Sequence, residues 1–274
     1  MRAPLDEFLP RPSVMGVVNV TPDSFSDGGA FLHPAAAIAE ARGMVEEGAA
    51  IIDVGGESTR PGSEGVSLEE ELQRVEPVLH ALLDVPRSID TSKAEVARRA
   101  LETGAVMVND VTALRGDPDL AGVVADADAY LCLVHMLGEP RTMQENPRYD
   151  DVVSEVISFL EKRLAFATEA GIAEDHICLD PGIGFGKTVE HNLELLGRLD
   201  EIVALGRPVL VGASRKRFLG RVLGDPDAIT GPLAAGIAVA VLAYERGASI
   251  VRAHDVPEHV AALKAAQAVV ESPA

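Results

Sequence analysis

The stretch ICLDPGIGFGK, Ile177 to Lys187, decides how the chain is read. An apolar run leads into a carboxylate, Asp180, and then a Pro-Gly break with further glycines on either side of Phe185. An apolar run bounded by a turn signal reads as a buried strand. A carboxylate at the C-terminal end of such a strand, followed by glycines, reads as a site residue beside backbone left bare for a ligand.

The same design recurs along the chain. Runs of strand character are VMGVVNV (14–20), AAIIDVGG (49–56, with Asp53 inside), PRSID (86–90), AVMVND (105–110), AYLCLVHM (129–136), ICLD (177–180), PVLVGAS (208–214) and SIVRAHDV (249–256). Helical patterns alternate with them, over about 34–48, 67–83, to about 103, 118–126, 150–170, 189–205, from 215, and a last one to about 270. Ser67-Leu68-Glu69-Glu70 carries the capping-box pattern at the start of its helix. Strands alternating with helices imply βαβ units and a parallel sheet. Eight such units over the 274 residues predict one (β/α)8 barrel domain (a TIM barrel), with 1–13 as an N-terminal extension. A doubly wound open sheet is the alternative. In a barrel the site lies at the C-terminal strand ends. Those ends carry Asn19, Asp90, Asn109, His135, Asp180, Lys216, Arg252 and His254.

Composition narrows the function. Hydrophobic residues are 47% and charged residues 24%, ordinary for a globular protein. With aromatics at 4% and no Trp, the core is expected to be Val, Leu, Ile and Ala. A net charge of −19 argues against a nucleic-acid partner, which needs a basic footprint. An anionic substrate then needs a local basic cluster to overcome the global field. Cys132 and Cys178 each sit inside an apolar run and read as buried, inert thiols. The opening MRAPLDEFLPRPS has no apolar signal-peptide region, and the most apolar stretch, 233–243, is too short to span a bilayer. A cytoplasmic protein with no membrane partner is expected.

The strand-end groups are of two kinds. Asp90, Asn109 and Asp180 suit a flat heterocycle that presents N–H donors, although each alone also fits a helix cap. Arg60, Arg215, Lys216, Arg217 and Arg252, with His254, are the cationic set. Late barrel strands commonly receive phosphate, and Arg forks onto phosphate oxygens. Some tempting motifs fail. GFGKT (184–188) lacks the first glycine of a P-loop, because Pro181 stands there. His135 has no neighbouring His or Cys for a zinc site. A hard cation held by Asn19, waters and substrate phosphates is plausible chemistry for Mg²⁺.

These motifs together resemble the dihydropteroate synthase family of the folate pathway. MGVVNVTPDSFSDGG (15–29), GGESTRPG (55–62), SIDTSK, VNDV, HMLGEPRTMQ (135–144), DPGIGFGK, GASRKRFLG and VRAHDV follow the family's order over nearly the whole chain. The resemblance implies condensation of 6-hydroxymethyl-7,8-dihydropterin diphosphate with 4-aminobenzoate, with Mg²⁺, in a homodimer. It implies Asp90, Asn109, Asp180 and Lys216 as the catalytic group, and the same residues with Met136 and Arg252 as the pterin site. Asn19, Arg60, Arg252 and His254 would take the diphosphate, and Asn19 the metal. Phe25, Thr59, Pro61, Phe185, Lys216 and Arg217 would wall the aminobenzoate. Arg217 stands where many family members have Ser. A pterin-binding methyltransferase domain, a Schiff-base aldolase using Lys216 and a non-catalytic paralogue are the rival readings.

Overall fold

Alternation within each apolar run decides which side chains enter the barrel and which face the helices. A computed structural model describes residues 2–21, 34–59, 63 and 65–272. Its strands are β1 (Ser13–Asn19), β2 (Ile51–Gly55), β3 (Arg87–Asp90), β4 (Met107–Asp110), β5 (Tyr130–Val134), β6 (Ile177–Asp180), β7 (Leu210–Val211) and β8 (Ile250–Ala253). They form one eight-stranded sheet in the order β6-β5-β4-β3-β2-β1-β8-β7. Every pairing is parallel. A single parallel bridge, Leu179 to Val209, joins the two ends of that order and closes the ring.

Register carries one parity around the ring. Asp90 pairs with Asn109, Asn109 with Cys132, and Cys132 with Cys178. Because side chains alternate, an inward residue on one strand therefore meets an inward residue on the next. Val18, Ile52, Val54, Ile89, Val108, Leu131 and Leu179 face outward and bury against the helices. Met15, Ile51, Met107, Tyr130, Cys132, Cys178, Leu210 and Ile250 form a separate inner cluster.

The N-terminal extension completes that inner cluster. A short helix, α1 (Leu5–Phe8), brings Leu5 and Leu9 into it, both almost fully buried. Phe8 stacks on Tyr130 with ring centroids 5.0 Å apart. The Tyr130 hydroxyl donates to the Ala3 carbonyl at 2.9 Å. The barrel therefore has a closed apolar floor at its N-terminal end.

The remaining helices are α2 (Pro34–Glu46), α3 (Leu68–Ala81), α4 (Ala94–Glu102), α5 (Leu120–Asp126), α6 (Val152–Glu169), α7 (Val189–Gly197), α8 (Leu199–Val203), α9 (Arg217–Val222), α10 (Leu233–Glu245) and α11 (Val256–Val270). The predicted helix over 189–205 is two pieces. It breaks at Arg198 (φ −112°, ψ 30°), which follows Gly197 and is held outside helical geometry by ion pairs to Asp151, Glu194 and Glu201. The seventh strand is shorter than the run 208–214 predicts. Its last part is the loop that turns Ser214 and Lys216 over the barrel mouth. Ser67 caps α3 by accepting from the Glu70 N–H, while Glu70's own carboxylate turns to Arg74. The reciprocal capping box instead forms at Thr188 and His191.

Candidate active site

Above the floor, the inward positions turn polar. Asp53 is fully buried in the middle of β2, and its Oδ2 accepts from Arg252 Nε at 2.7 Å and Asn109 Nδ2 at 2.9 Å. The second arm of Arg252 donates to Asp90 Oδ2 at 2.8 Å. One guanidinium thus bridges two carboxylates. Burial opposes its charge, but Asp53 and Asp90 outweigh that and hold its pKa above the ordinary arginine value. Burial pushes the Asp90 carboxyl up to about 7, with Arg252 pulling it down and Asp53 pushing it back up. The Asn109 Oδ1 and Asp53 Oδ1 atoms are buried and have no hydrogen-bond partner. A buried acceptor left unpaired costs stability, which is tolerable where a ligand supplies the donor.

The loop after β6 is pinned from several sides. Asp180, its pKa raised by burial, accepts from the Gly182 N–H through Oδ1 at 2.7 Å. Gly182 has φ +69°, and a Cβ there would lie 1.8 Å from the His135 carbonyl oxygen, so only glycine fits. Gln144 donates to the Gly184 carbonyl, Asn192 accepts from the Gly184 N–H, and Tyr149 donates to the Gly186 carbonyl. Beneath the loop, Lys187 is buried, with Nζ 2.9 Å from His135 Nδ1 and 3.0 Å from the Phe185 carbonyl. Burial brings the Lys187 ammonium down to about 7 and His135 to about 2, so His135 is a neutral acceptor. Lys216 places its Nζ 3.8 Å from the centre of the Phe185 ring.

A corner beside β1 and β8 suits an anion. Ser214 Oγ accepts from the His254 N–H at 3.2 Å and lies 3.2 Å from His254 Nδ1. His254 Nε2 lies 3.5 Å from Asn19 Nδ2. Burial and the nearby Arg252 charge lower His254 to about 3, so the ring is neutral. Arg215 does not add to this corner freely: at φ +60°, it is tied to Asp255 with N–O distances of 2.7 and 3.3 Å.

These groups surround one cleft of about 710 Å³ over the C-terminal strand ends. Of the residues expected at the site, Asn19, Thr59, Asp90, Asn109, Asp180, Phe185, Lys216, Arg217, Arg252 and His254 all line it. Met136 does not: it is buried in the inner apolar cluster, and Met143 lines the cleft instead. His135 also turns away from the cleft, toward Lys187. Phe25, Arg60 and Pro61 lie outside the described residues.

Sequence reasoning passed over several residues here. Asp53 was visible as a charge inside an apolar run, the signal of an inward polar position. Lys187 closed a rejected P-loop pattern. The stem of the loop after β2 carries no such signal. There Lys93 bonds both Glu57 and the buried Glu71, Thr91 donates to Glu71 at 2.7 Å, and Arg74 donates to the Gly56 carbonyl at 2.7 Å. These bonds fasten Gly56–Glu57 just before Ser58 and Thr59, which line the cleft.

Chemically, the cleft offers a flat set of acceptors for a heterocycle with N–H groups, a cation across its face, and a corner for an anion. Known proteins match this arrangement. The family described as pterin binding enzyme matches residues 15–254. A dihydropteroate synthase of Synechocystis is 47% identical over 262 residues, covering 94% of this chain and 90% of the relative. One from Escherichia coli is 46% identical over 269 residues, covering 96% and 94%. Among solved structures, Yersinia pestis dihydropteroate synthase with a sulfonamide complex superposes with a TM-score of 0.90 at 43% identity, covering 96% of each chain. The Xanthomonas albilineans enzyme with 7,8-dihydropteroate gives a TM-score of 0.84 at 44% identity, covering 97% of this chain and 96% of that one.

Proposed function

The chain belongs to the pterin-binding enzyme family, among its dihydropteroate synthases, and from that premise we propose that it makes 7,8-dihydropteroate and diphosphate. Its substrates are then 6-hydroxymethyl-7,8-dihydropterin diphosphate and 4-aminobenzoate. The observation that carries the reading is the unpaired, buried Asn109 Oδ1 in a cleft that Asp180, Lys216 and Arg252 also line.

The residues divide the work by chemistry. Asp180 and Asn109 accept the N–H groups of the amino-pyrimidinone edge, and Lys216 donates to an acceptor on the same ring. Arg252, held flat by Asp53 and Asp90, covers the ring face. Ser214, His254 and Asn19 receive the diphosphate. The C–O bond to diphosphate breaks with its electron pair leaving on oxygen, and positive charge grows at the pterin methylene. Asp90, which lines the same cleft, stabilises that charge. The neutral arylamine attacks the methylene, and its proton passes to water, so no strong base is needed.

The donor set fits Mg²⁺. Among the described residues no three His, Cys, Asp or Glu groups come together, so there is no all-protein cage. Mg²⁺ favours one or two protein oxygens with phosphate and water. Asn19 directs its Nδ2 at His254, leaving Oδ1 as the oxygen for the ion. Bound there, Mg²⁺ would neutralise charge on the departing diphosphate.

The same reading carries a homodimer, supported by exposed Leu233 and Leu242 on α10, and a cytoplasmic location; among the described residues, no helix is long and apolar enough to cross a membrane. The test is diphosphate release from the pterin diphosphate with Mg²⁺, with and without 4-aminobenzoate. Release that needs 4-aminobenzoate and yields dihydropteroate upholds the reading. Pterin binding without turnover overturns it.

A further inference from the structure

Behind the cleft wall lies a group of charges that the proposed reaction does not use. Glu71, on α3, is a fully buried carboxylate, and neither it nor Glu57 nor Lys93 lines the cleft. Lys93 Nζ donates to Glu71 Oε2 at 2.5 Å and also to Glu57 Oε2, so one ammonium serves two carboxylates. Burial opposes that ammonium, but the bonds to Glu57 and Glu71 outweigh it and hold its pKa above the ordinary lysine value. Thr91 donates to Glu71 Oε1 at 2.7 Å and accepts from the Lys93 N–H at 3.2 Å. The bonds thus run from the residue after Asp90 to the stem of the loop after β2. An ion pair this deep adds little stability over apolar packing of the same volume. What it specifies is a place for Glu57.

That place governs both arms of the loop. On the outgoing arm, Arg74 donates to the Gly56 carbonyl at 2.7 Å. A Cβ on Gly56 would lie 2.8 Å from the Val75 side chain and 3.0 Å from that of Glu71, so this arm lies flush on α3. On the returning arm, a Cβ on Gly65 would lie 3.1 Å from Glu57 Oε1. Glu57 therefore has one oxygen on Lys93 and the other against Gly65. Ser63 donates to the Ser58 carbonyl and ties the two arms again. Ser58 and Thr59 come directly after Glu57 and line the cleft, on the wall proposed for 4-aminobenzoate. We infer that Lys93 and Glu71, acting through Glu57, are positioning residues for the amine substrate: they set where Thr59 stands without touching either substrate. Among the described residues, the side chains of Asn109, Asp180 and Arg252 bond elsewhere, so the pterin groups are held independently of this network. The inference rests on the synthase reading of the cleft and deepens it.

The experiment measures KM for 4-aminobenzoate by steady-state kinetics, and affinity for the pterin diphosphate with Mg²⁺ by calorimetry. Both are taken in the full unaltered chain, in Glu57→Ala and in Glu57→Gln, with a thermal melt of each. Glu57 is the residue to change because its loss leaves the buried Glu71 paired with Lys93, whereas Lys93→Met would strand that carboxylate. The expected result is a KM for 4-aminobenzoate raised about tenfold in Glu57→Ala and partly restored in Glu57→Gln, which keeps an acceptor for Lys93. Pterin affinity and the melt should not move. If Glu57→Ala does not fold, Glu57→Gln carries the same split between the two substrates at smaller size. An unchanged KM for 4-aminobenzoate in folded Glu57→Ala overturns the inference and leaves the synthase reading standing. If pterin affinity, KM and the melting temperature all worsen together, the network only supports the fold, and the inference is overturned. If the unaltered chain does not turn over 4-aminobenzoate, the synthase reading fails, and this inference fails with it.

Discussion

The two ends of the barrel are built from the same strands and put to opposite uses. At the floor, Met15, Ile51, Met107 and Ile250 interlock with Leu5 and Leu9, and the Tyr130 hydroxyl there is bonded to the Ala3 carbonyl. At the rim, two positions further along the same strands, Asp53, Asp90, Asn109 and Arg252 crowd charge into a buried layer and leave acceptor atoms unpaired. The floor holds the barrel together; the rim is organised for a ligand at some cost to stability. Side-chain alternation lets one strand do both, because each inward position belongs to a separate layer.

The largest test of that division sets Arg252→Met against Met15→Ala. Arg252→Met leaves Asp53 buried without its cation. It is expected to lower kcat/KM about a thousandfold and stability by about 3–5 kcal/mol. Met15→Ala opens a cavity in the floor, costing about 2–5 kcal/mol with kcat/KM nearly intact. Steady-state kinetics and chemical denaturation on both variants check this. A large kinetic loss in Met15→Ala would break the division.

Next in size is Asp180→Asn. Pterin affinity should fall about a hundredfold by calorimetry, because a charge-assisted acceptor is lost. Stability should hold or rise, since a buried carboxylate is removed. Unchanged pterin affinity would remove Asp180 from the site.

The pH dependence sharpens the comparison further. Asp90 binds its proton more tightly folded, at about 7, than its ordinary value of 3.8. Between those values the native state holds more protons than the unfolded one, so the Asp90 contribution makes stability fall as pH rises through the window and then level off. Asp90→Asn should flatten that slope in denaturation curves taken from pH 4.5 to 7.5. Floor variants should leave it alone. Smallest is Tyr130→Phe, which removes the hydrogen bond to the Ala3 carbonyl. About 1 kcal/mol of stability should go, with no change in activity.

Much of this was legible in the sequence, for physical reasons that differ by residue. Buried parallel strands are nearly continuous apolar runs, so the barrel was readable from ICLD and its counterparts. Asp90, Asn109 and Asp180 were readable because each closes such a run. The role of Asp53 was not, because it depends on Arg252 reaching across the barrel from a position 199 residues later. Lys187 was hidden for the same reason, since His135 lies 52 residues before it. The floor plug was hidden because α1 has only four residues, too few to show a period. Met136 illustrates a further limit: its neighbours on the loop fix which methionine faces the cleft, and Met143 takes that position.

The seam of the barrel has a consequence of its own. Strands β6 and β7 meet through one bridge, and the amide that forms it, Leu179 N–H to Pro208 O, is 2.9 Å long. Asp180 follows on one side of that seam and Lys216 crowns the other. A pterin held by both would act as a stitch across the least-bonded join in the ring. Amide hydrogen exchange should begin there in the free protein and slow there first on binding, so that the ligand completes the cylinder it occupies.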